Sequence, residues 1–184
     1  MSLTFEEALD LVRKYVKNDK LIKHMLAVAA IMEKLAEKLG EDKELWRLVG
    51  LLHDVDYELT QNQPEKHGLV AAEILKDKLP EHAIKAVQAH NELTGVKDDS
   101  KLAIALRAAD AASGLIIATA LVMPNKKLSE VKLETLLRKF KQKDFARGVK
   151  REKILECEKL GMSLEDFLSL SLEALKEISN MLGL

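Results

Sequence analysis

Apolar residues recur along most of the chain at the three-to-four-residue spacing of a helix with one buried face, and each run opens or closes on a recognisable signal. Thr4 with Glu7 forms a capping box before the first run, Asp19 caps a second that ends at Gly40, and Asp42 or Glu41 opens a third through Leu45, Leu48, Val49 and Leu52. HDVDYELTQNQP then breaks into a polar loop before a helix over about 64–78, and Pro80 starts the next. Ser100 caps a long apolar helix to Met123 that Pro124 stops, and Ser129, Asp144 and Ser163 begin three more runs. No convincing β pattern, repeat or low-complexity linker interrupts them. The pattern predicts an all-α fold of about nine helices.

Composition narrows the class. A chain of 184 residues folding as one domain hides roughly 70% of its unfolded surface. With 47% hydrophobic and 32% charged residues it reads as globular rather than disordered, and 8 Gly, 3 Pro and 4% aromatics argue against an all-β fold. Basic and acidic residues number 29 and 30, so there is no global field to hold a polyanion, and a nucleic-acid polymer is not the expected partner. A single cysteine, Cys157, implies a reducing compartment. MSLTFEEALDLV lacks the basic start and apolar core of a signal peptide. In the apolar stretch Leu102–Met123, Arg107 and Asp110 leave a charge-free run of 15 residues, Ala111 to Asn125. About 20 are needed to span a bilayer. A cytoplasmic protein without membrane contact is the expectation.

The informative residues are polar ones on apolar faces, because burial without a partner costs several kcal/mol. His24 lies on the stripe of Leu21, Val28, Ile31 and Leu35, and His53 and Asp54 end the run LVGLLHD. His67 leads toward Val70, Ala71 and Ile74, His90 follows Ala83, Ile84 and Val87, and Asp110 stands within IALRAADAASGLII. Singly, each histidine is more often a satisfied core residue than a ligand, and Asp110 has a helical neighbour of opposite charge in Arg107. As a set of four histidines and two aspartates they are better explained by a divalent cation, since Zn, Fe and Mn accept such donors. His82, in the first turn after Pro80, reads as exposed and stands outside the set.

A His on one helix, an adjacent His-Asp and a distant Asp on a long apolar helix (His24, His53 with Asp54, Asp110) resembles the HD-domain superfamily of metal-dependent phosphohydrolases. HDVDYE, KHGLVAAEIL and AHNE are similar to segments of its small stand-alone members. The resemblance covers roughly residues 19 to 120 and implies a helical HD-like core, with about 128–184 as a C-terminal helical extension of the same domain. Members with two more histidines between the pair and the last Asp are dinuclear, which implies that His67 and His90 complete a second site and that Asp54 bridges two ions. Fe or Mn is the leading expectation, with Zn, Co, Ni or Mg as alternatives. Two departures set this chain apart: the tetrad is His-Asp-Val-Asp rather than ending in Gly, and no Lys occupies the next position. Asp56 and Glu58 read first as solvated residues and second as groups that orient water or an imidazole.

From Arg138 to Lys153 eight basic residues face two acidic ones. The i, i+3, i+4 spacing of Arg147, Lys150 and Arg151 puts three cations on one side, as a clamp for phosphate oxygens. Lys66 and Arg107, each beside a ligand candidate, line the expected mouth. These residues predict hydrolysis of a nucleotide or other small phosphoester by metal-activated water. A di-iron oxygenase of the same superfamily and a non-catalytic helical module are the alternatives. The stripe of Leu164, Phe167, Leu168, Leu172, Leu175, Ile178 and Leu182 is the surface through which a homodimer would form.

Overall fold

In the computed structural model, which describes residues 3–184, ten α-helices and five short 3-10 turns form the regular structure, and no strand occurs among the described residues. The helices are α1 (Phe5–Tyr15), α2 (Asp19–Leu39), α3 (Lys43–Leu52), α4 (Leu69–Leu75), α5 (Glu81–Ala89), α6 (Lys101–Leu121), α7 (Leu133–Lys141), α8 (Arg151–Ile154), α9 (Leu164–Glu177) and α10 (Ser179–Leu182).

Local chemistry explains the ends. The Thr4–Glu7 capping box starts α1, Asp42 caps α3, and Ser100 and Ser163 cap α6 and α9. The cap of α2 is Asn18, one residue before the expected Asp19, and its helix stops at Gly40 in the left-handed conformation, φ 71°. Glu58 supports this start by accepting hydrogen bonds from the Lys17 and Asn18 amides.

Helices α2 and α6 form the centre. α2 packs on α3, α6, α9 and α10, and α6 touches α2, α3, α5, α7, α8 and α9. Buried alanines along α6, including Ala105, Ala108, Ala109 and Ala112, let these neighbours approach closely. α6 is long and apolar enough to cross a membrane, yet 72% of its apolar window is buried in this bundle. At Gly50 a Cβ would lie 2.8 Å from Ala29 Cα, so α3 meets α2 backbone to backbone. That approach brings His53, at the C-terminal end of α3, beside α2.

Three expectations need correction. The segment 64–78 is not one helix: a 3-10 turn, Pro64–Lys66, leads to His67 and then to Gly68 at φ 98°, and α4 begins only at Leu69. Ser129 lies in the 3-10 turn Leu128–Glu130, and no helix begins at Asp144, because residues 143–148 form turns with Ala146 at φ 48°. The C-terminal stripe is consumed inside the fold: Phe167, Leu168, Leu172, Leu175 and Leu182 are buried, with α9 packed on α2, α6 and α7. Burying one side chain such as Phe167 stabilises by about 2–3 kcal/mol, so most of this face belongs to the core, with Leu164 and Ile178 half-buried toward its ends.

Candidate metal centre

All six residues singled out on apolar faces meet at one place. His24 arrives from α2 and Asp110 from α6, His53 and Asp54 follow α3, His67 sits in the extended link before Gly68, and His90 ends α5. His24 Nε2 lies 2.9 Å from Asp110 Oδ1 and 3.5 Å from Asp54 Oδ2. His53 Nε2 lies 3.3 Å from Asp54 Oδ2 and 3.6 Å from Asp110 Oδ1. Across Asp54 the other oxygen, Oδ1, faces His67 Nε2 at 3.1 Å and His90 Nε2 at 3.3 Å. The two carboxylate oxygens of Asp54 therefore address different pairs of imidazoles.

The outer nitrogens define the tautomers. His53 Nδ1 donates to Gly50 O at 2.7 Å, His90 Nδ1 donates to Val87 O, and His67 Nδ1 donates to Asp56 Oδ1 at 2.8 Å. The Ser113 hydroxyl donates to Asp110 O at 2.8 Å, so its oxygen accepts from His24 Nδ1 at 3.2 Å. With each proton on Nδ1, all four Nε2 lone pairs point inward. His67 and His90 then set two lone pairs 3.1 Å apart, and the fully buried His53 Nε2 has no hydrogen-bond partner. Converging lone pairs and carboxylates repel unless a cation or added protons lie between them. The donor set and its outer hydrogen bonds fit a divalent-metal site.

The electrostatics point the same way. Burial pushes the His53 pKa down, but Asp54 and Asp110 outweigh it and hold the group well above its usual range. Burial likewise opposes charge on His67, and its hydrogen bonds to the Asp54 and Asp56 carboxylates bring its pKa to about 9. Burial would raise Asp54 and Asp110, but the histidines keep both well below the ordinary carboxylate range. Protons thus occupy the cluster when no metal does, and a cation must displace them.

The proposed phosphate contacts divide. Arg107 is held by Glu156 at 2.9 and 3.1 Å and donates to Asp98 O, so its guanidinium is committed to a structural pair. Arg151 donates to the carbonyls of Lys139, Phe140, Gln142, Phe145, Ala146 and Val149, closing the C-terminus of α7 and pinning the following turns. Because those turns are not helical, Arg147, Lys150 and Arg151 do not share a helix face, and Arg147 is largely solvated, 3.7 Å from Asp144. Lys66 is exposed.

Lys150 does reach the centre. With Lys153 it lines a cavity of about 260 Å³ that also contains His24, Asp110 and Gly114. Glu92 faces both lysines, at 3.4 Å from Lys150 Nζ and 3.7 Å from Lys153 Nζ. On the opposite side, Tyr57, Gln61, Pro64, His67 and Asn91 line a second cavity of similar volume.

Three roles escaped sequence reasoning. Asp56, read mainly as solvated, is 0% exposed and grips His67. Lys153 lay within the basic run, but only the non-helical path of 143–150 shows why it faces the centre. Asn91 ties the 64–67 turn to α5 by donating to Pro64 O and His67 O at 2.8 and 2.9 Å. Its place directly after His90 was the one available signal. His82 is exposed, as its position after Pro80 suggests.

Residues 21–115 match the HD domain family. Ribonuclease Y of Lawsonia intracellularis (strain PHE/MN1-00) is 32% identical over 101 residues, covering 54% of this chain and 19% of that protein. Ribonuclease Y of Acholeplasma laidlawii (strain PG-8A) is 31% identical over 94 residues, 50% of this chain and 18% of that protein. Ribonuclease Y of Helicobacter pylori (strain ATCC 700392 / 26695) is 35% identical over 80 residues, 41% of this chain and 15% of that protein. The chain thus spans less than a fifth of the length of these relatives. No solved structure matches it.

Proposed function

Given that the chain belongs to the HD-domain family, we propose that it is a dinuclear metal-dependent phosphohydrolase acting on a nucleotide or other small phosphoester. The observation that carries this reading is the set of four inward Nε2 lone pairs around a carboxylate that faces both pairs. His24, His53, Asp54 and Asp110 would hold one ion, and Asp54, His67 and His90 the other. When bound, divalent ions supply Lewis acidity and lower the pKa of water at the site. Asp54 orients both halves of the centre, and the outer acceptors Gly50 O, Val87 O, Asp56 and Ser113 keep the imidazoles in the ligating tautomer. Lys150 and Lys153 line the approach beside His24 and Asp110, where they attract phosphate oxygens and neutralise charge as it develops.

Cavities of about 260 Å³ on either side suit a small substrate. The ribonuclease names of the relatives place phosphodiesters in the test set. Chelator-stripped protein is assayed with phosphomonoesters, phosphodiesters and nucleotides, with Mn(II) or Fe(II) restored. Metal-dependent release of phosphate or alcohol is expected, and Lys153→Ala should lower kcat/KM by about 10-fold, the loss of one charge-assisted contact of about 1.4 kcal/mol. Absence of turnover on every class with metal bound would refute the hydrolase reading.

A further inference from the structure

The His-Asp-Val-Asp tetrad places a carboxylate where the related pattern has glycine, and the fold buries it completely: Asp56 is 0% exposed. Its two oxygens have separate tasks. Oδ2 accepts from the Gly68 and Ala71 amides, both at 2.8 Å, and closes the first turn of α4. Oδ1 accepts from His67 Nδ1 at 2.8 Å, which turns the opposite nitrogen toward Asp54 Oδ1 and His90 Nε2, each at 3.1 Å.

We propose that Asp56 is a positioning residue that decides whether the second ion binds, acting through the tautomer of His67. This rests on the two-ion reading above. His67 lies in an irregular link between a 3-10 turn and Gly68 at φ 98°, so no helix dictates its ring orientation. The main chain gives its Nδ1 no acceptor, in contrast to the Gly50 and Val87 carbonyls that serve His53 and His90. A buried carboxylate at position 56 supplies what the backbone does not.

Asp56→Asn separates the two tasks. The amide oxygen, turned toward Gly68 and Ala71, keeps the cap, while the amide NH2 faces His67 Nδ1 and obliges that nitrogen to accept. The ring proton moves to Nε2, and the lone pair needed by a cation is lost. The test is equilibrium dialysis of the parent, Asp56→Asn, His67→Ala and the double variant against Mn(II), with thermal unfolding of each metal-free protein. Expected are two ions for the parent, and a second ion weakened by about 10- to 100-fold in Asp56→Asn. The metal-free protein should still unfold cooperatively, its melting temperature lowered by the lost Asp56–His67 pair but not collapsed, with no further effect of Asp56→Asn on metal binding once His67 is alanine. Unchanged binding of both ions by Asp56→Asn overturns the inference and leaves the two-ion reading standing. Loss of both ions with a collapsed melting temperature assigns Asp56 to the fold alone and also overturns it. A parent that binds one ion removes both.

Discussion

His24, His53 and Asp110 reach the centre from helices set by apolar packing, whereas His67 reaches it from a link held by polar tethers and His90 from a helix end joined to that link. α2, α3 and α6 interlock through Gly50 against Ala29 and through the alanine-rich surface of α6, and the three side chains follow from that packing. The other end depends on Asp56, on Asn91 bonded to Pro64 O and His67 O, and on the close approach of Gly68 to the Gln88 backbone. One end is positioned by a core that resists deformation, the other by a few directional bonds. The ends should therefore fail separately and through different kinds of substitution.

The largest effect is expected at the residue they share. Asp54→Ala leaves the imidazoles without the carboxylate that faces both pairs, and breaking a buried charge cluster costs about 3–5 kcal/mol. Elemental analysis should find neither ion retained, and denaturant unfolding should report the loss of stability. Gly50→Ala strikes the packed end: a Cβ 2.8 Å from Ala29 Cα forces α2 and α3 apart. Overpacking of this kind costs about 1–3 kcal/mol, and the ion between His24, His53 and Asp110 should weaken more than the other. Equal weakening of both ions in a metal titration would erase the distinction.

At the tethered end, His67→Ala or His90→Ala should lower the content from two ions toward one, while His24→Ala disrupts the centre more severely. A purely structural histidine would cost stability and leave the metal count unchanged. A smaller, pH-dependent effect sharpens the contrast. The folded-state pKa of His67 is raised from 6.5 to about 9, so its stabilising contribution is complete below pH 6.5 and lost as pH rises through 9. Metal-free protein should lose stability across that window in a denaturant series, and His67→Ala should flatten the slope. The smallest effect belongs to Arg147→Ala, since that side chain is largely solvated: stability should change by less than about 0.5 kcal/mol, with metal content unaltered.

The packed end was the more legible in sequence. His24 and Asp110 stand out because helical spacing places them among apolar neighbours, and caps such as Ser100 and Asp42 locate the helices. Position 56 was opaque because an aspartate in a polar loop is usually solvated, and only the return of residues 67–71 against it buries the carboxylate. The basic run misled for a related reason. Its charges suit a helix face, but Ala146 at φ 48° and the carbonyls gathered by Arg151 hold 142–149 in turns, a tertiary outcome that spacing does not encode. Those turns leave Lys150 and Lys153 at the centre and commit Arg151 elsewhere.

Whether the inward histidines and aspartates hold metal where protons otherwise sit is decided by calorimetric titration of Mn(II) into metal-free protein. The measurement is made at pH 7 in two buffers of different ionisation enthalpy. Two ions per chain are expected and, because His53 and His67 are both held above their ordinary range, net proton release seen as a buffer-dependent heat. Absence of binding, or binding with no proton release, would contradict the metal assignment.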